Sequence, residues 1–259
     1  MAVRRHMTSG NYRHLLRVAL IVVPVSASCR ASSAQQSDGR VVFTAHAPTE
    51  HIAIGRTPLG LDSARDGFLF VPHDTSDRRG VPLLILLHGA TQRAALFERL
   101  VPAADSAGVA ILAPDSRAVT WDAIRGDFGP DVAFLDRAIT VAFDRARIDS
   151  CRVVIGGFSD GASYALSLGI RNAHAFHGVV ALSPGFILPA PEPERLAVFV
   201  RHGTRDQILP IENASRRIVA VLREAGFTVD YQEFEGPHTI RPADAHAAFQ
   251  WTTQRSCRT

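Results

Sequence analysis

Seven consecutive apolar residues, Val81 to Leu87 (VPLLILL), constrain this chain most. The run is short for a helix and lacks the polar alternation of a half-exposed strand. It reads as a strand covered on both faces. Covering both faces requires helices on both sides, and the rest of the sequence supplies them in alternation. Arg40–Ala45 and Gly67–Val71 read as early strands, Leu96–Ala107 as a helix and Val109–Ala113 as the next strand. Pro130–Arg147 carries Val132, Leu135, Ile139 and Phe143 at helical spacing. Strand Arg152–Gly156, helix Gly161–Ile170, and strands Val179–Leu182 and Leu196–Arg201 follow. Helix Ile211–Ala225 closes at Gly226, strand Thr228–Phe234 alternates, and Ala243–Gln254 is the last helix. Alternating strands and helices give an α/β fold, a mostly parallel sheet with helices on both faces. No repeat and no linker divides residues 40–259.

The charge divides unevenly along the chain. All 28 basic residues are arginines, and Arg4, Arg5, Arg13 and Arg17 precede residue 28 with no acidic residue among them. Beyond that point 24 arginines face 25 acids. The main domain therefore offers no basic footprint for nucleic acid. The basic start leads into an apolar core, Val18–Val25, and then Ser26, Ala27 and Ser28, the order of a secretory signal. A cut after Ser28 makes Cys29 the first residue and resembles a bacterial lipoprotein box, although Ser26 stands where such boxes usually carry Leu. A cut after Ala34 is the alternative. The expectation is a leader over 1–28, lipoprotein type being one form, a flexible tether over 29–39, and one domain over 40–259. The product would be periplasmic, secreted or anchored to the bacterial envelope by lipid on Cys29.

In open parallel sheets ligands bind beyond the carboxyl ends of the strands. Gly157-Phe158-Ser159-Asp160-Gly161 lies there, between a strand and a helix, and matches G-x-S-x-G. The two glycines suit a turn too tight for flanking side chains, and the turn lifts the Ser159 hydroxyl above the sheet. A serine hydroxyl is a poor nucleophile until a base takes its proton. Asp206, in HGTRD, and His238, in GPHT, each follow a strand and come in the order acid, then histidine. His202 precedes the acid and reads as a structural loop residue. His246 sits inside the last helix, and Asp230 lies within a strand rather than after one. His88-Gly89-Ala90-Thr91 follows VPLLILL, where a loop can offer a backbone N–H to an oxyanion. Ala90 is the candidate donor there, and Asp160, after the serine, is the other.

LLHGATQ, GGFSDGASYALSLG, HGTRDQILP and GPHT together resemble the α/β-hydrolase fold over roughly residues 80–255. Within it they are similar to phospholipase/carboxylesterases, dienelactone-hydrolase-like proteins and polyhydroxybutyrate-depolymerase-like esterases. The resemblance implies a serine esterase with Ser159 as nucleophile, Asp206 as acid and His238 as base. Dienelactone hydrolases proper use Cys as nucleophile, so Ser159 points to the esterase side. The expected substrate is a small-molecule ester cleaved through an acyl-enzyme, without metal or cofactor. A polyester depolymerase or feruloyl-type esterase is an alternative, and a non-catalytic binding protein of the same fold is one of another class.

Trp121 and Phe158 are candidates for the pocket wall, and each reads equally well as a core-capping aromatic. Pro184, Pro189, Pro191 and Pro193 leave no room for a large lid domain. His174 and His177 lack acidic or Cys partners at metal spacing. Cys151 opens the serine-bearing strand and Cys257 follows the last helix. Topology sends both to the edge away from catalysis, where they form a disulfide or stand as two unrelated thiols.

Overall fold

The computed structural model describes residues 38–190 and 195–257. The proposed leader, Cys29, Pro191 and Pro193 lie outside these residues, as does most of the proposed tether. The strands are β1 (Gly55–Pro58), β2 (Gly67–Val71), β3 (Val81–Leu87), β4 (Ala110–Pro114), β5 (Ile148–Phe158), β6 (Val179–Leu182), β7 (Val198–Gly203) and β8 (Val229–Phe234). They form one sheet in the order β1-β2-β4-β3-β5-β6-β7-β8. β1 and β2 pair antiparallel, β2 meets β4 antiparallel, and every pairing from β4 to β8 is parallel.

The helices are α1 (Val101–Ala107), α2 (Asp122–Arg125), α3 (Pro130–Arg145), α4 (Asp160–Arg171), α5 (Ser215–Glu224) and α6 (Pro242–Thr253). Strand β3 shows why both faces need cover. Leu83, Ile85 and Leu87 join a core built with α3, α4 and α5, whereas Leu84 and Leu86 join the core under α1 and α6. All seven β3 residues are buried, and each fully buried Leu or Ile contributes roughly 1.5–3 kcal/mol.

The helix expected over Ile211–Ala225 begins only at Ser215, and three other expected elements differ further. Arg40–Ala45 is not a strand. It crosses the outside of the domain as an extended strap, with the Val41 N–H on the Asn172 side chain and the Val42 N–H on Asp136. Its alternating apolar residues bury Val41 and pack the Phe43 ring 6.0 Å from that of Phe143. They mimic a strand without a ladder partner, and the first true strand is β1. The expected helix 96–107 breaks into a 3-10 turn, Ala94–Leu100, and α1, because Pro102 sits in the first turn of α1 and cannot donate backward. The serine-bearing strand is longer than expected and begins at Ile148.

After β6 the chain stays low over α4. The Ser163 hydroxyl accepts the Gly185 N–H at 2.9 Å, and the Ser167 hydroxyl accepts that of Leu188 at 2.9 Å. No large lid stands over the sheet among the described residues.

Candidate active site

Loops after β3, β5, β7 and β8 meet at the carboxyl edge of the sheet. In register, Leu87 of β3 lies beside Gly157 of β5, and Phe158 beside Leu182 of β6. The next residue, Ser159, turns sharply into α4 with φ 58° and ψ −122°. That conformation is costly for a residue with a Cβ, on the order of 1–3 kcal/mol. Close packing enforces it. A Cβ on Gly161 would fall on the Leu87 carbonyl, and one on Gly157 would lie 2.5 Å from the Gly161 backbone. Both glycines are thus required by the approach of β3 and α4, and the turn raises Ser159 to the helix N-terminus.

Asp206 and His238 come together as expected. The His238 Nδ1 lies 2.5 Å from the Asp206 Oδ2. The other carboxylate oxygen accepts the N–H groups of Ile208 (2.9 Å) and Leu209 (2.8 Å). Burial pushes the Asp206 carboxyl up, but the Leu209 amide, the His238 ring and the Ile208 amide outweigh it and hold it below its ordinary value. Phe158 lies beneath, its ring 4.6 Å from that of His238. Ser159 follows Phe158 directly, so the serine and the histidine share one small space. Among the described residues no hydrogen bond joins the Ser159 hydroxyl to His238. Such bonds commonly tighten only when substrate binds.

The loop after β3 abuts the serine, for a Cβ on Gly89 would lie 3.2 Å from that of Ser159. Its amides are engaged one by one. Gly89 N–H donates to the Gln92 side chain, Thr91 N–H to the Val119 carbonyl, and Gln92 N–H to the Gly89 carbonyl. Ala90 is left with no acceptor among the described residues. The Asp160 N–H opens α4, where a helix offers no internal acceptor. The two amides that the sequence singles out are therefore the ones free to face a ligand. The Asp160 side chain is held by the Thr120 hydroxyl, which donates to it at 2.7 Å.

Trp121 is not a pocket wall. It is fully buried, its indole N–H donates to the His88 carbonyl at 2.8 Å, and its ring lies 5.1 Å from that of His88. It braces the Ala90 loop from behind. His88 completes the brace. The Ser116 N–H donates to its Nε2, which puts its own proton on Nδ1, donating to the Gly89 carbonyl at 2.8 Å. Phe158 is likewise buried and backs the His238 ring rather than lining open space.

His202 does more than the sequence suggested. Its Nε2 lies 2.9 Å from the Leu209 carbonyl and 3.0 Å from the Asp206 Oδ2. Both are acceptors, so Nε2 carries the proton. Nδ1 then accepts the Ser215 hydroxyl at 2.5 Å. Burial, opposed by the Leu209 carbonyl and Asp206, lowers the His202 pKa below its ordinary value. Asp206 is thus held by two imidazoles. The i, i+4 spacing of His202 and Asp206 was the available signal, but nothing in the sequence placed Ser215 behind them. His246 is exposed on α6, and Asp230 is paired with Arg201 at 2.9 Å, so neither joins the site.

Cys151 and Cys257 are joined by a disulfide, their Cα atoms 4.5 Å apart, at the opposite edge of the sheet.

Comparison with solved structures decides the fold. A carboxylesterase of Bacillus cereus superposes with a TM-score of 0.58 at 22% identity, over 74% of this chain and 95% of that one. The fluorophosphonate-binding serine hydrolase F of Staphylococcus aureus superposes with a TM-score of 0.62 at 14% identity, over 78% of this chain and all of that one. The chain has the α/β-hydrolase fold. Its residues 132–251 match the phospholipase/carboxylesterase family, a stretch that holds Ser159, Asp206 and His238 but not the Ala90 loop. A putative esterase, NocK, of Nocardia uniformis is 32% identical over 52% of this chain and 43% of its own length. An acyl-protein thioesterase 1 of Mycosarcoma maydis is 31% identical over 39% of this chain and 47% of its own. The chain spans less than half the length of these two relatives.

Proposed function

We propose that this α/β-hydrolase is a carboxylic ester hydrolase that works through an acyl-enzyme on Ser159. One observation carries the reading. A strained serine and an Asp206–His238 pair at 2.5 Å share one edge with two backbone amides, those of Ala90 and Asp160, that have no acceptor among the described residues. Ser159 attacks the ester carbonyl as His238 takes its proton, and the amides hold the oxyanion. The bond from carbonyl carbon to alcohol oxygen then breaks, and His238 returns the proton to the leaving alcohol. Water, deprotonated by His238, releases the acid and frees Ser159. Asp206 keeps the imidazole oriented and stabilises its charge.

The test is hydrolysis of p-nitrophenyl acetate, butyrate and octanoate by the wild type and Ser159→Ala, with fluorophosphonate labelling of both. Turnover and labelling by the wild type alone support the reading. Failure of the wild type to do either favours a non-catalytic binding protein. An acyl thioester and a polyester emulsion, assayed in parallel, separate the thioesterase and depolymerase alternatives. The disulfide suits an oxidising compartment and supports the export leader and tether read from the sequence. Mass spectrometry of the mature N-terminus distinguishes a lipidated Cys29 from a cut after Ala34.

A further inference from the structure

We propose that the groove lined by Arg205, Gln207, Ile208, Pro237 and His238 is the leaving-group site, built for esters of neutral alcohols with a sizeable apolar body. The proposal rests on the ester-hydrolase reading and names the substrate class of the same site. The groove encloses 570 Å³, within the roughly 300–1,000 Å³ of small-molecule sites.

Sheet order supplies the direction. The serine strand β5 stands between β3, whose loop carries Ala90, on one side and β6, β7 and β8 on the other. An ester carbonyl whose oxygen points toward the Ala90 and Asp160 amides therefore turns another substituent toward the β7 and β8 loops. That substituent is the leaving oxygen, because His238 must protonate it as the bond to carbon breaks. His238 offers few ways in. Its Nδ1 edge is on Asp206, Phe158 covers the ring, and 14% of the side chain remains exposed. The groove reaches that remainder.

The lining gives the chemistry. Ile208 is 68% exposed, an apolar side chain presented to whatever enters. Arg205 is paired with Glu235 at 3.2 Å, so the outer end carries no unbalanced charge that would select an ionic alcohol. An apolar chain that covers Ile208 removes apolar surface from water on both partners.

Two ester series separate this site from an acyl site. In the first, ethyl, butyl and hexyl acetates share one acyl-enzyme, so differences in kcat/KM report contacts made by the alcohol before it leaves. In the second, ethyl acetate, butyrate and octanoate vary only the acyl group. For the wild type, kcat/KM is expected to rise at least about tenfold from ethyl to hexyl acetate. Ile208→Ser should cut that ratio to about threefold or less, and Ile208→Trp, which fills the groove, should invert it. The ratio across the acyl series should stay within about twofold in both variants. Variants that change the acyl ratio instead, or neither ratio, overturn the leaving-group assignment while leaving the esterase reading intact. A wild type that hydrolyses none of these esters and takes up no fluorophosphonate overturns both.

Discussion

The two edges of the sheet use buried polar groups in opposite ways. At the amino edge, Arg152 is 4% exposed and donates to Asp149 (2.6 Å), to Asp77 (2.7 Å) and to the Gly80 carbonyl (2.7 Å). Asp149 in turn accepts the Cys151 N–H, and Cys151 is bonded to Cys257. The groups there satisfy one another. At the carboxyl edge, Asp206, His202 and Ser215 form an equally dense network, yet beside it the Ser159 hydroxyl and the Ala90 and Asp160 amides have no hydrogen-bond partner among the described residues. Strain is also found there, at Ser159. One edge closes on itself and the other leaves polar groups open, the arrangement that the proposed function requires of a preorganised site.

The largest expected effect comes from separating strain from chemistry. Ser159→Gly removes the proposed nucleophile and also the Cβ that makes φ 58° costly. Esterase activity should fall by at least about 10⁴-fold, while unfolding free energy should rise by about 1–3 kcal/mol. Denaturant unfolding beside an ester assay reads both. A variant that is less stable than the wild type would show that the turn holds no strain worth relieving.

The amino edge should give the mirror result. Cys151→Ser with Cys257→Ser opens a link spanning 106 residues and should cost about 2–5 kcal/mol. Activity per folded molecule should stay within about twofold. A loss of activity larger than the loss of folded protein would mean that the two edges are coupled.

Legibility in the sequence followed the same division. Ser159, Asp206, His238 and Ala90 could be read because each directly follows a strand, and strand ends are visible as the ends of apolar runs. The strap at 40–45 was misread because Val41 and Phe43 alternate as a strand does, and the sequence does not say whether a neighbouring strand or a helix receives them. Trp121 was assigned no certain face, since burial depends on Tyr164 and His88, brought beside it from α4 and the β3 loop. His202 was underrated for a similar reason. Its partner Ser215 lies 13 residues on, across a loop whose path no local pattern fixes.

His202→Ala, made beside His202→Gln, tests how far the open edge depends on that network. Losing the donor to the Asp206 carboxylate removes a charge-assisted hydrogen bond of about 1.5 kcal/mol, or about tenfold in kcat, with KM little changed. The less neutralised carboxylate should also move the acidic limb of the kcat/KM profile to higher pH. Glutamine, which keeps a donor at similar reach, should lose less than His202→Ala. Equal losses in the two variants, or a change in KM alone, would reduce His202 to a packing residue.

The smallest effect separates the edges by acidity. Burial holds both His88 and His202 below the ordinary imidazole value of 6.5, against the pull of the Gly89 and Leu209 carbonyls. A histidine lowered by folding binds fewer protons folded than unfolded, so its contribution is complete above about 6.5 and is lost as pH falls through it. Asp77, at the amino edge, is brought to about 2 by the Arg79 amide and the Arg152 guanidinium. Its contribution is complete above its ordinary 3.8 and is lost only as pH falls from there toward 2. Asp131, behind the Trp121 loop, opposes the histidines. Burial raises it to about 6, so below that pH the folded state keeps a proton that the unfolded chain gives up until about 3.8. Global melting therefore blurs the contrast, and local hydrogen exchange resolves it. Between pH 7 and pH 5, after correction for intrinsic rates, amides of residues 88–92 and 202–209 should lose protection while those of 148–153 keep it. A uniform loss, or an earlier loss at 148–153, would mean that the closed edge is no more resistant to acid than the open one.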